Sequence, residues 1–508
     1  MKRSLIVATC ITALLLGAAP AFAKGDTLTV AVPADARNLD PHMTTDSASG
    51  TGMRQVYESL VMLNDKDELT PVLCERWEVS ENNTKYTFFL RKGVKFHNGE
   101  TMTADDVLFS LQRATAPGSP LRMFTGYIDP KGLEKVGDDA VVIRTTQPMG
   151  DAFLASMNHP WASVVSKKAA EDTNKKIGQF PVGTGKFKFV SWTKGDQMNF
   201  ERFDDYWGEK AKIKKIVLRV VVESSSRTIE LESGSVDVVQ DLASVDINRI
   251  RDSKGLTVHT LPGQRVFHLG LDLKMKPFDD IRVREALNMM ANRKGMVKAV
   301  YKNVAEVATG PTSSAVKYNL TKETPEPVAD VAKAKKLLAD AGFPKGFKMD
   351  IVTPDRSDYM GIATILQSDF AKIGVEVAIK VLEYGAFLGV INSQDLHPPY
   401  IQNVWGGAPA LDPFFMLTPR FMSTAPRNGN RHSYNNPKVD ELLNKGAGLQ
   451  DGPERAAVYH ELWKILNHDL PWISLVTPSL ARGMVKELKG VHFTPSFLVY
   501  YGNAYFEK

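Results

Sequence analysis

The stretch from Ile216 to Val239 constrains the fold most. Ile216 to Val222 is a β-branched run, Ser224 is placed to cap a helix through Leu231, Gly234 stops it, and Val236 to Val239 restarts a strand. That order is a βαβ-like unit, and it recurs. A helix is expected from Asp279-Asp280 with Val283, Ala286, Leu287 and Met290 on one stripe and Arg282, Arg284 and Glu285 facing outward. Another is expected from Asp330, carrying Ala334, Leu337, Leu338 and Ala341, with Gly342 and Pro344 closing it. A strand near Met349 to Val352, a helix from about Tyr359 to Ile373 and a strand from Val375 to Val381 continue the alternation. Alternating elements of this kind build mixed α/β domains. The apolar stripes are core.

The N-terminus has its own pattern: Lys2-Arg3, an apolar run from Leu5 to Leu16, then Ala21-Phe22-Ala23 before Lys24. This reads as a secretory signal peptide over residues 1–23, because the run is shorter than the roughly 20 residues a membrane span needs. Cys10 lies inside the run, which argues against a lipid anchor. Cleavage removes two cations and no anion, lowering the formal charge from +5 to +3. It also leaves Cys74 as the only cysteine, so no internal disulfide is expected. A mature chain of 485 residues exceeds what one core supports, and two or three domains are expected. Acidic and basic residues are interspersed, which gives no nucleic-acid footprint.

Catalytic signatures fail on inspection. No G-x-S-x-G elbow is present. Pro181 to Lys186 lacks the third glycine of a dinucleotide loop, and Phe187 stands where a phosphate loop needs Ser or Thr, so the segment reads as a turn or domain crossing. His460-Glu461 opens like a zinc-protease helix, but Lys464 occupies the second ligand position. The ten histidines are otherwise scattered. The chain is expected not to be an enzyme and to need no cofactor or metal.

A set of segments in order resembles the extracytoplasmic solute-binding family of peptide and nickel ABC importers. They are Asn38-Leu39-Asp40-Pro41, Val56 to Leu60, Pro71 to Trp77, Tyr86 to Gly99, Thr103 to Val107, Pro181 to Gly185, Asp205 to Gly208, Ser233 to Asp237, Pro277 to Asn288 and Lys335 to Gly342. Physically, Tyr86 to Leu90 is an aromatic strand, Asn98-Gly99 is turn chemistry, and Thr103 is suited to cap a helix with Asp106 in its first turn. These motifs therefore read as scaffold.

The resemblance implies an α/β fold of two lobes around a cleft, with an extra domain inserted in the first lobe. By analogy residues 24–57, 183–262 and 484–508 form the first lobe, 58–182 the inserted domain and 263–483 the second lobe. It implies a periplasmic, monomeric receptor that closes on a small peptide or peptide-like ligand and delivers it to the membrane permease of an ABC transporter. A nickel chelate is the alternative within the family; a peptide-holding chaperone and a secreted hydrolase are the alternatives outside it.

The resemblance also places candidate ligand contacts. Trp405, Gly406, Gly407 and Ala408 offer an aromatic face beside exposed backbone, or else a packed tight turn. Arg356 is suited to a ligand carboxylate, or to an ion pair with Asp355 or Asp358. Thr45, Asp46, Ser47, Met123, His159 and Trp161 correspond to cleft positions, with interdomain packing as the alternative. Relatives that bind peptides carry an aspartate for the α-amine near Ala408; here the next acid is Asp412, followed by Pro413 in the pattern of a helix start.

Overall fold

The computed structural model describes residues 25–64, 68–172, 174, 176–404, 411–495 and 498–507. The signal-peptide expectation and Trp405, Gly406, Gly407 and Ala408 lie outside the described residues. Among the described residues no helix is long and apolar enough to cross a membrane.

Two large sheets organise the chain. The first has seven strands in the order Leu256–Leu261, Leu480–Val485, Val238–Val239, Thr27–Val32, Lys215–Val220, Gln197–Arg202 and Phe187–Thr193. Its centre is parallel, with Thr27–Val32 paired to both Lys215–Val220 and Val238–Val239. The second has six strands in the order Ala305–Val307, Trp472–Pro478, Val266–Gly270, Tyr400–Val404, Lys348–Pro354 and Glu376–Leu382. Here Lys348–Pro354 runs parallel to both Glu376–Leu382 and Tyr400–Val404. A third, four-stranded antiparallel sheet of Cys74–Ser80, Lys85–Leu90, Ala140–Thr145 and Ile128–Val136 lies between the first and later strands of the first sheet in chain order. It has its own core around Tyr86, Phe88, Val107, Phe153 and Trp161.

Local signals in the sequence explain many element starts. Asp280 and Asp330 accept backbone N–H bonds at the starts of the helices Ile281–Met290 and Val331–Asp340. Thr103 and Asp106 form a capping box on Ala104–Thr115. One expectation fails: Arg284 is buried rather than outward. Its guanidinium donates to the carbonyls of Phe278, Asp279 and Asp469, so distant backbone draws it inward.

The chain leaves and re-enters the first sheet through a knot centred on Glu58. Thr184 Oγ1, Tyr206 Oη and Trp207 Nε1 all donate to its buried carboxylate, at 2.9, 2.6 and 3.1 Å. Burial raises the Glu58 pKa, and those three donors oppose the shift. Pro181 to Lys186 is the returning crossing, with Gly185 N–H bonded to the Val56 carbonyl.

Two further crossings join the large sheets, at 261–266 and 478–480. They run side by side. A Cβ on Gly263 would sit 2.1 Å from the Pro478 carbonyl oxygen, so only glycine permits this approach. Strand 480–485 straddles the boundary expected at 483 and pairs in the first sheet, because its partner 256–261 lies there.

Candidate functional site

In an open α/β sheet the crevice beyond the carboxyl ends of parallel strands is the usual binding place, because loops and helix starts there present free backbone and side chains. In the first sheet those ends lead into Val221 to Ser224 and into Gln240-Asp241. Arg227 staples them: its guanidinium donates to the carbonyls of Val221, Val222 and Asp241 at 2.6 to 3.1 Å. In the second sheet, Lys348–Pro354, Glu376–Leu382 and Tyr400–Val404 share one direction, so Arg356 and Tyr384 leave from the edge at which Val404 also ends its strand.

Arg265, on the crossing between the sheets, lies within electrostatic range of both edges. Burial lowers its pKa and Arg356 adds to that, while Tyr359, Asp241 and Tyr384 oppose it. Asp241 belongs to the first edge and the others to the second. Arg265 thus lies between charged groups of both edges, with Asp241 on one and Arg356 on the other.

Arg356 stands at the N-cap of the helix Ser357–Ala371 with its side chain exposed. It pairs with Asp358 at 3.4 Å and lies 5.2 Å from the Tyr359 ring centre. Burial works against its charge, but Asp358 and Tyr359 hold its pKa above the usual value. A 3.4 Å contact between exposed groups is loose, which leaves the guanidinium available to a better-placed carboxylate. Tyr384 is 50% exposed at the same edge.

The other residues singled out from sequence fall into two groups. Asp46 caps the helix Ser47–Val56, accepting from Ser49 N and Oγ at 2.9 and 2.7 Å and from Thr44 Oγ1 at 2.5 Å; Thr45 and Ser47 flank it, half-buried. The second group sits in the inserted sheet's domain. Met123 is 39% exposed, whereas its neighbour Phe124 is buried and stacks on His159 at 4.3 Å. His159 is buried, accepts from Trp161 N through Nδ1 at 3.3 Å, and has its pKa lowered to about 3, by burial first and then by the charge of Arg54. Trp161 is fully buried and donates from Nε1 to the Ser156 carbonyl at 2.8 Å.

This second group lies where the lobes touch. Phe414 and Phe415, on the helix Pro413–Phe421, enter the same apolar cluster as Phe124 and Trp161. Phe415 lies 6.2 Å from Phe124, and Phe414 lies 5.2 Å from Tyr127. Beside them Asp451 N–H donates to Asp151 at 2.6 Å, and Asn83 to the Gly448 carbonyl at 2.8 Å. Gly150, at φ +45°, would carry a Cβ 2.1 Å from the Leu449 oxygen, so its lack of a side chain allows this contact.

Sequence reasoning passed over Arg265, Tyr384, Asp241 and Arg54. The first three are recruited by the chain crossing, which has no local signature. Arg54 did carry a signal: it is the one charged residue in the small-residue helix Ser47–Val56. Among the described residues no group of three or more His, Cys, Asp or Glu is placed to hold a metal ion.

Facing strand-end edges, joined by paired crossings and touching again through an inserted domain, define a two-lobed binding protein of the periplasmic-binding type. Comparison with known proteins agrees in detail. The glutathione-binding protein GsiB of Pectobacterium atrosepticum is 28% identical over 510 residues, covering 99% of this chain and 98% of its own. Heme-binding protein A of Haemophilus influenzae is 30% identical, covering 83% and 81%. The periplasmic binding protein DppA from Helicobacter pylori, solved in complex with the peptide STSA, superposes with a TM-score of 0.79 at 28% identity, covering 95% and 98%. The model of the bacterial extracellular solute-binding proteins, family 5, matches residues 68–426, and this chain belongs to that family.

Proposed function

We propose that the chain is an exported receptor that captures a peptide or peptide-like ligand, of the dipeptide, oligopeptide or glutathione class, between its lobes and delivers it to an ABC permease. Cleavage after Ala23 releases it into the periplasm as a monomer. The first lobe combines residues 24–57 and 183–262 with the C-terminal segment, the inserted domain spans 58–182, and the second lobe covers most of 263–483. A ligand touching both edges stabilises the closed arrangement, which the permease then reads.

One observation carries the reading: exposed Arg356 stands at the strand-end edge of the second sheet, held only by a loose pair with Asp358, and acts on Arg265 at the crossing between the sheets. A free α-carboxylate is the peptide group such charge recognises. The ligands named for GsiB and for the DppA complex support the same class. Trp405, with Gly406, Gly407 and Ala408, follows Val404 in the sequence, and we assign it an aromatic contact with the ligand. Thr45, Ser47 and Met123 are assigned to the outer walls.

Mass spectrometry of small molecules released from protein purified natively from the extracytoplasmic fraction tests the assignment. A peptide or a thiol tripeptide is the expected release. Heme or a nickel chelate in stoichiometric amount would overturn the ligand class.

A further inference from the structure

One helix belongs to two cores. In Pro413–Phe421, Met416, Leu417 and Phe421 pack with Val439, Leu442 and Leu443 of the helix Pro437–Gly448. Phe414 and Phe415, at the start of the same helix, instead enter the core of the inserted sheet's domain, where they are 0% and 5% exposed. Asp412 caps that start and is itself held by Arg455, so the two rings are presented as a preformed knob.

The inserted domain is tied elsewhere. Both of its chain connections run to first-sheet elements, one between Val56 and Val61 and the other ending at Phe187. Arg113, on its helix Ala104–Thr115, forms an ion pair with buried Asp40, and His42 Nε2 meets the Ser163 carbonyl at 3.2 Å. Asp40 and His42 precede the helix Ser47–Val56 and belong to the first-lobe side. The contact with the second lobe has no chain connection and a light polar part, from Asp451 N–H to Asp151 and from Asn83 to the Gly448 carbonyl.

A rotation about the crossings at 261–266 and 478–480 that parts the lobes therefore parts Phe414 and Phe415 from Tyr127 and Phe124, and brings all four rings toward water. Closing buries them again. Burial of aromatic surface is favourable whatever occupies the cleft.

We infer that this contact is a clasp: Phe414 and Phe415, docking on the inserted domain, favour the closed arrangement without touching ligand and set how much of the free protein is closed before a ligand arrives. The inference rests on the lobe motion proposed above and not on the ligand class.

An engineered disulfide reads the clasp without a ligand. A Cβ on Gly448 would lie 2.9 Å from Pro148 Cβ across the contact, near the roughly 3.5–4.5 Å that a disulfide spans. In the exported Pro148→Cys/Gly448→Cys protein both new thiols should react with a maleimide when reduced, while Cys74 stays buried, and oxidation should give one intramolecular bridge and a smaller radius of gyration. Phe415→Ser in that background should slow bridge formation at fixed oxidant by about 10- to 100-fold, the factor that one buried aromatic side chain sets, and leave the unfolding midpoint of the reduced protein near that of its parent. Asn83→Gly suits the backbone at φ +59°, deletes only a donor, and should slow the bridge by about 2- to 10-fold. Adding glutathione or a set of di- to tetrapeptides separates the two readings. Faster bridging with one of them supports both; no acceleration, with both variants still slow, leaves the clasp standing and removes the peptide class. Shielded thiols in the reduced protein, with equal radii before and after oxidation, would mean a permanent joint and overturn the inference. A bridging rate unchanged in Asn83→Gly, or in a folded Phe415→Ser variant, would overturn it as well.

Discussion

Asp412 and Arg455 form a fully buried ion pair at 2.8 Å, with the two side chains 1% and 0% exposed. Asp412 Oδ1 also accepts from Phe414 N–H at 3.0 Å and so caps the helix that carries Phe414 and Phe415 into the inserted domain. Arg455 reaches on to Asp451 at 2.8 Å, whose own N–H meets Asp151 across the lobe contact. Asp412, the first acid after Ala408 in the chain, is thus committed to structure.

Removing that carboxylate should therefore be felt in stability. Asp412→Ala strands a buried guanidinium and deletes a cap, and is expected to cost ~3–5 kcal/mol. Asp412→Asn retains an acceptor for the cap and should cost less, ~1.5–3 kcal/mol. Denaturant melts measure both. Peptide affinity in folded Asp412→Asn should match wild type; a loss above tenfold would return Asp412 to the ligand site.

Buried His42, His159 and His268, with the half-buried His97, contribute to the acid response. Burial is the first cause of lowering in each, taking His42 and His97 to about 4 and His159 and His268 to about 3. Depressed folded values mean that the stability is fully present above the unfolded pKa near 6.5 and is lost as pH falls through the folded values. Each histidine then costs about 1.4 kcal/mol per pH unit below 6.5. Urea midpoints should fall steeply from pH 6.5 to 5. His268→Gln should start less stable at pH 7.5 yet lose less over that interval, and equal slopes would contradict the assignment.

Thiol titration gives a direct count. Cys74 is fully buried, its Sγ lies 3.1 Å from the Leu60 carbonyl, and burial pushes its pKa up to about 12. Native protein should not react with a thiol reagent at pH 8. In guanidinium the exported protein should titrate one thiol; two would mean that Cys10 and the leader remain.

Arg356 and Trp405 should separate ligand features. Arg356→Ala should weaken ligands with a free carboxylate by ~2–5 kcal/mol and leave amidated ones nearly unchanged. Trp405→Ala should weaken both, since an aromatic contact ignores end chemistry. Calorimetry with acid and amide ligands completes the cycle, and additive losses would return Arg356 to its pair with Asp358.

Much of the scaffold was legible because its signals are local. Asp280, Asp330, Thr103 and Asp412 all cap helices where the sequence pattern placed starts. Arg284 misled because the carbonyl of Asp469, 185 residues away, turns it inward. Residues near the binding edges were harder. Arg265 matters only because two crossings bring separate sheets together, and for Trp161 and His159 the sequence leaves cleft contact and packing equally open, with Trp161 in the apolar cluster that holds Phe415 and His159 stacked on Phe124 of that cluster. No spacing rule encodes such a meeting.

Closure on a peptide is the claim on which the rest depends. Unfolding and refolding the exported protein without ligand, then titrating glutathione and a set of di- to tetrapeptides by calorimetry alongside small-angle X-ray scattering, tests it directly. The account predicts that at least one peptide binds at one per chain, reduces the radius of gyration and raises the melting temperature through linkage. Saturable binding of heme or a nickel chelate, with no peptide changing scattering, heat or melting, would contradict it.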